Sequence, residues 1–578
     1  MRASPADLAL AAAIAVLLAG ASAIAQTGPT PLVPPAVRTA PPAPGIAPTP
    51  LPQERAAPLV RPGGVTARPL PSLDLESAGW TERERGLGAG LWQGSRWSTV
   101  ERVLALVPPP VTPARHDLAR RLLMSAAARP EDAPPGRVIE RRLERLLAIG
   151  DARSAHALAG AVPAARLDGP RARLAAEAAL LAGAPADACK RAGSDAVDLA
   201  DLFWRRLRIA CDAIDGRADQ AALGLLVLRE ENKDPGEGFV ALAEAIAGRA
   251  EPRTLAAAPD AILLALGARA GAKLSDAALA AAGPAVATAI AHDQRWPVGQ
   301  RLAAGERAAA HGLVDGPMLA ALYAELPVAA DALADPRAAA EADKGPAARA
   351  AIVQGARLQI VPARRLEVLA LGWRHALADG AALAYAGAVA PMVEEITPSA
   401  DLAPHAGAAI RILLGAGRAG RAARWLAVVG ARPGDETAMA AHAAAAPLVR
   451  LARGEEGPAW NADAVRRWTA GMGGDGDPRA AIGLALLAAL GDLAASDAWL
   501  ALATPAPTPV PSTLWFAQEA AAREARLGEQ VALALAILGE RAVPHPLASF
   551  SALNGLRLAE RTPEARRLAV EIALLAGI

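Results

Sequence analysis

The sequence predicts an all-α chain of stacked helical hairpins, and three observations lead there. Hydrophobic residues fill 53% of the 578 positions but aromatic ones only 3%, so Ala and Leu, both strong helix formers, carry the apolar mass. Apolar residues recur at helical spacing along most of the chain, and no segment alternates convincingly with the period of two that a half-buried strand requires. A glycine turn between two apolar helices also returns at a fixed interval. A chain this long exceeds the roughly 250–300 residues at which one compact core stops growing, so several domains or an extended stack are expected.

The amino-terminal stretch "MRASPADLALAAAIAVLLAGASAIAQ" places Arg2 before an apolar run from Leu8 to about Gly20, with Ala23 and Ala25 ahead of Gln26. That is the pattern of a secretory signal with an A-x-A cleavage site, assigned to residues 1–25. The run is short for a comfortable membrane span, so cleavage is favoured over a retained anchor. No other stretch is long and apolar enough to cross a bilayer, and no cysteine stands near the site to take a lipid anchor. The expected location is the periplasm, with anchoring only if the signal is kept. Residues 26–72 follow as a Pro-rich linker, whose closely spaced prolines fix φ and remove backbone donors.

Three segments align in the folded part: "LLAIGDARSA" from Leu146, "LLAGAPADA" from Leu180 and "AIDGRADQA" from Ala213. Their turn glycines, Gly150, Gly183 and Gly216, lie 33 residues apart, and five positions on stand Ala155, Ala188 and Ala221. A glycine able to take φ > 0 ends one helix, and a small alanine lets the next helix approach closely. A period in this range means hairpins that bury their faces by stacking. The spacing returns in "GAGRAGRAARWL" with Gly417 and Ala422, and more loosely around Gly491 and Gly528.

This arrangement resembles the tetratricopeptide repeat, whose turn glycine and following alanine have the same separation. The resemblance covers roughly residues 140–225, where the aromatic positions of the repeat's first helix are mostly missing. It implies a right-handed α-solenoid, divided here into an N-terminal helical-repeat region, 73–345, and a C-terminal one, 346–578. Cys189 and Cys211 are the two cysteines of the chain and fall in adjacent helices of neighbouring hairpins. An exported protein permits a disulfide between them; the alternative is two separate buried thiols. Trp80, Trp92 and Trp97 are expected to cap the first, exposed end of the stack, and Trp204, Trp373, Trp425 and Trp499 to be core.

Chemistry is sparse. Lys+Arg 60 against Asp+Glu 59 leaves a net charge of +1, so no whole-chain field attracts nucleic acid or anionic lipid. Eight histidines, at 116, 156, 292, 311, 375, 405, 442 and 545, show no metal-ligand pair on one helix face and read as surface or half-buried residues. No G-x-S-x-G elbow or phosphate-binding lysine loop occurs. "GLGAG" at 86–90 reads as a flexible lead-in to the folded part, and Asp475 and Asp477 in "GMGGDGDPR" as an interhelical loop rather than a calcium site. Glu394 and Glu395 read as solvated face. The arginine pairs Arg120–Arg121, Arg205–Arg206 and Arg364–Arg365 flank helices, although a concave arginine row could take an acidic glycan or an acidic segment.

No catalytic, cofactor or metal residue is therefore predicted. The expected function is a non-enzymatic periplasmic helical-repeat scaffold or adaptor for an envelope protein, with oligomeric state open. The alternative is a peptidoglycan- or glycan-acting protein with a helical superstructure.

Overall fold

The computed structural model describes residues 77–194, 197–432, 434–472, 477–492 and 512–578, all within the compact unit Pro71–Ile578. The signal segment, the whole Pro-rich stretch, Asp475 and Trp499 lie outside the described residues. Among the described residues the structure is all-helical, with two isolated bridges, Trp80 to Ser125 and Leu255 to Leu274, as its only β pairing.

The first helices are α1 (Trp97–Leu106), α2 (Pro113–Met124), α3 (Arg137–Ala148), α4 (Ala152–Gly160), α5 (Gly169–Leu181), α6 (Pro185–Ala192), α7 (Leu202–Ile214), α8 (Ala218–Glu230), α9 (Glu237–Ile246) and α10 (Ala261–Ala270). The middle comprises α11 (Asp276–Ala281), α12 (Pro284–His292), α13 (Val298–Ala310), α14 (Gly316–Glu325), α15 (Ala330–Ala334), α16 (Pro336–Ala342), α17 (Pro346–Leu358), α18 (Pro362–Ala378) and α19 (Ala382–Glu394). The remainder are α20 (Ala406–Gly415), α21 (Ala419–Gly430), α22 (Glu436–Arg453), α23 (Ala462–Gly471), α24 (Pro478–Ala489), α25 (Ser512–Arg523), α26 (Leu527–Leu538), α27 (Pro546–Leu558) and α28 (Thr562–Leu575).

The repeat glycines sit in the turns α3–α4, α5–α6, α7–α8 and α20–α21, with φ of +87° at Gly150, +80° at Gly183, +81° at Gly216 and +73° at Gly417. The turns share one bonding pattern. At Gly183 the glycine N–H reaches the Leu180 carbonyl at 3.1 Å and the next N–H, of Ala184, reaches Ala179 at 2.8 Å. This closes the orphan carbonyls of the ending helix. Ala155, Ala188, Ala221 and Ala422 are all buried where the second helix meets the first. The same turn recurs at Gly380, with φ +71°, but five residues later stands Tyr385, fully buried. The small residue has moved to the facing helix: a Cβ on Gly372 would lie 2.1 Å from the Tyr385 hydroxyl.

Cys189 and Cys211 are joined by a disulfide with a Cα–Cα distance of 5.6 Å, tying α6 to α7. They belong to a satellite core formed with Phe203, Trp204, Leu207, Leu225 and Phe239. The main core runs from Leu87 to Ile578. Helices on both sides of residue 345 share it, α17 packing on α13 and α14. There a buried Arg349 binds Glu306 at 2.6 Å and Asp379 at 2.7 Å, and the Tyr323 hydroxyl donates to Glu306.

The first helices do not end an open stack. α1 and α2 pack on α26, and α2 also on α28. Trp92 and Trp97 are buried, and a Cβ on Gly528 would stand 2.4 Å from the Trp92 ring. The expected capping of an exposed end is thereby corrected: Trp92 meets the other end of the chain. Gly528 is correspondingly not a turn glycine. It lies inside α26, and the positive-φ position before that helix is Ala525, at +52°. The "GLGAG" stretch is no flexible lead-in either, since Gly86, Leu87 and Gly88 are buried and the Leu87 N–H donates to Ser125 Oγ at 2.7 Å.

Candidate functional site

Packing of α2 on α28 completes a circuit of helix contacts, from α28 through α20 and α19 to α13 and α14. From there the α13–α14 turn returns to α2, Gly312 lying against Pro113 and the His311 Nδ1 2.6 Å from the Pro110 carbonyl oxygen. The circuit surrounds a cavity of about 720 Å³ whose walls include His116, Arg120, Gly387, Leu414, Arg566 and Glu571. It reaches the surface beside the exposed Gly417, Pro563 and Arg567. Close helix approach forms the wall: a Cβ on Gly316 would fall 2.1 Å from the Gly387 carbonyl oxygen.

Two side chains fasten the circuit. α2 begins with Pro113, so its first free amide is that of Ala114, and both carboxyl oxygens of Glu571 accept from it at 2.9 and 3.0 Å. Burial pushes the Glu571 carboxyl up to about 7, against the lowering effect of Thr112, the Ala114 amide, Arg567 and Arg115. Arg115 does the reverse service at the end of α26, donating to the carbonyls of Gly539 at 3.0 Å, Arg541 at 2.8 Å and Ala542 at 3.3 Å. Burial pulls this guanidinium down to about 10, with Glu571 opposing. A helix start thus has its first free amide satisfied by carboxyl oxygens, and a helix end has its carbonyls satisfied by a guanidinium.

Behind the α2 wall, His116 Nε2 lies 3.1 Å from Asp151 Oδ2, which also accepts from Arg120 Nε at 2.5 Å. Asp151 follows Gly150 and caps α4 by accepting from the Ser154 N–H at 3.1 Å. Burial raises its carboxyl, but His116 and Arg120 outweigh that and hold it well below the carboxylate range. His116 is 1% exposed, and burial lowers its imidazole despite the Asp151 bond. This corrects the surface or half-buried reading of His116: α2 packs on both sides, and the side chain is enclosed beside Asp151.

Of the residues singled out in the sequence, Gly417, Arg120 and His116 line the cavity; Gly150, Gly183, Gly216 and the cysteine pair do not. The arginine pairs are engaged: Arg121 with Glu564, Arg205 with Glu231, Arg206 with Asp260, Arg364 with Glu367 and Arg365 with Glu395. Asp477 caps α24 through the Arg479 N–H at 2.8 Å. Trp204, Trp373 and Trp425 are buried. No group of three or more His, Cys, Asp or Glu among the described residues is placed to hold a metal ion. Sequence reasoning passed over Glu571, Asp151, Arg115 and Arg566. Asp151 carried a readable signal, an acid at the start of a helix straight after a turn glycine.

A second feature lies on α8. Ala221, Leu225 and Leu228 face the core, while Leu223 is 63%, Leu226 53% and Val227 36% exposed. Positions three and four apart share a helix face, so these three form one outward apolar stripe. No protein-family model matches the chain, and no curated protein matches it.

Proposed function

We propose that the protein is a non-enzymatic scaffold of the periplasm, a right-handed tetratricopeptide-like α-solenoid that docks an envelope protein on its outer helix faces. The observation that carries this reading is the stripe Leu223–Leu226–Val227, which leaves α8 apolar on both sides. Exposed apolar faces of this kind mark interaction surfaces. Export is supported by the disulfide between the chain's two cysteines and by the signal-like amino terminus. Among the described residues no helix is long and apolar enough to cross a membrane.

The test is capture from envelope extracts with the mature chain, residues 26–578, beside the variant Leu223→Glu/Leu226→Glu. Reproducible recovery of one envelope protein, lost with the variant, is the expected result. Retention of peptidoglycan fragments with no protein would instead favour the glycan-acting alternative, for which Glu571 is the carboxyl to replace first.

A further inference from the structure

We propose that the cavity enclosed by α2, α14, α19, α21 and α28 is a binding site for a small organic monocarboxylate, an acid with one ionised head on an apolar body. This goes beyond the scaffold reading and does not depend on it.

One guanidinium of the wall lacks a carboxylate partner among the described residues. Arg120 is spent on Asp151, and Asp117 is shared by Arg85 at 2.8 Å and Arg567 at 3.1 Å. Asp315 accepts the Met318 N–H at 2.9 Å, capping α14. Glu571 is bound to the Ala114 amide, and burial favours its neutral form. Arg566 alone among the lining arginines has no carboxylate within ion-pair distance among the described residues. Its Nη1 reaches only the carbonyls of Leu451 at 3.2 Å and Arg450 at 3.4 Å. Arg566 is thus the one lining guanidinium without a described carboxylate at contact distance, Asp492 and Glu455 acting on it only from further away.

Three further donors or partial charges line the same cavity. α21 and α28 both begin there, at Ala419 and Thr562, and neither start carries a side-chain cap. Uncapped helix starts favour anions. Buried His116, also lining the cavity, has an Nδ1 with no hydrogen-bond partner. The rest of the wall is apolar, including Val314, Leu383, Leu414 and Val570. A single unmatched guanidinium suits one carboxylate better than a doubly charged phosphate, and the apolar wall needs a hydrocarbon body against it. At about 720 Å³ the space falls within the range of small-molecule sites.

The experiment is thermal unfolding and calorimetric titration of the full chain with hexanoate, phenylacetate, the neutral analogue hexanamide and inorganic phosphate. At least one of the two acids is expected to raise the unfolding midpoint by about 2 °C or more near saturation, with hexanamide and phosphate inert. Arg566→Gln should weaken binding of that acid about tenfold or more, Arg566→Lys less, and Arg364→Gln, on the remote helix α18, not at all. Circular dichroism verifies that each variant folds. Equal response to hexanoate and hexanamide, response to phosphate alone, no response to either acid, or full binding by folded Arg566→Gln would each overturn the proposal.

Discussion

The hairpins from Arg137 to Glu230 and the helices that join the chain's beginning to its end both depend on how helix termini are satisfied, but they do it at opposite ranges. In the hairpins, a positive-φ glycine lets the last carbonyls bond to amides of the adjoining turn, as at Gly183. In the closure, the start of α2 is capped by Glu571, 457 residues away, and the end of α26 by Arg115, more than 420 residues away. The first kind of contact forms from local sequence; the second waits until both ends are folded and near each other. Local turns therefore build the stack, and a few buried charged groups decide whether it closes around a cavity.

Arg115→Ala should damage the closure most, because it strands three carbonyls and removes the cation beside Glu571; a loss of about 4 kcal/mol in urea unfolding is expected. A comparably large change belongs to Glu571 and pH. Its folded value, about 7, lies above the ordinary 4.5, so the folded state holds its proton longer. Its stabilising contribution is complete below about pH 4.5 and is lost as pH rises through about 7, a decline of about 3 kcal/mol. His116 and Asp151, both lowered, act in the opposite sense as pH falls. Unfolding of wild type minus that of Glu571→Gln between pH 4.5 and 8 isolates the first effect, and a flat difference contradicts it.

Within the hairpins, replacing both Cys189 and Cys211 by serine should destabilise by about 3 kcal/mol, since the bond closes a loop of 22 residues. The loss should fall on the satellite core and leave closure intact. Gly183→Ala should have the smallest effect, about 1 kcal/mol: its φ of +80° disfavours a Cβ, yet no atom lies within 4 Å of where one would sit. If Gly183→Ala opened the α2–α28 contact, the separation of local from distant control would fail.

What could be read from the sequence follows the same division. The turn glycines at 150, 183 and 216 and the alanines that follow them were legible because every part of each signal lies within a few residues. The helix that ends at Gly380 was legible from its apolar periodicity, but the hairpin there escaped the repeat pattern because Tyr385 stands where the alanine would be, and the compensating small residue, Gly372, lies on the other helix. Gly528 resembled a turn glycine, but its size answers to Trp92 across more than 400 residues of sequence. Glu571 and Arg566 sit in an ordinary amphipathic helix, where a charged residue at helical spacing reads as solvated face. Only the arrival of α2 buries Glu571 and makes both residues parts of a cavity wall.

The most direct test of closure is hydrogen exchange followed by mass spectrometry on wild type and Arg115→Ala. Closure predicts faster exchange in the variant at both 97–124 and 527–575, with residues 169–230 unchanged. Faster exchange confined to 97–124, with 527–575 as protected as in wild type, would contradict it.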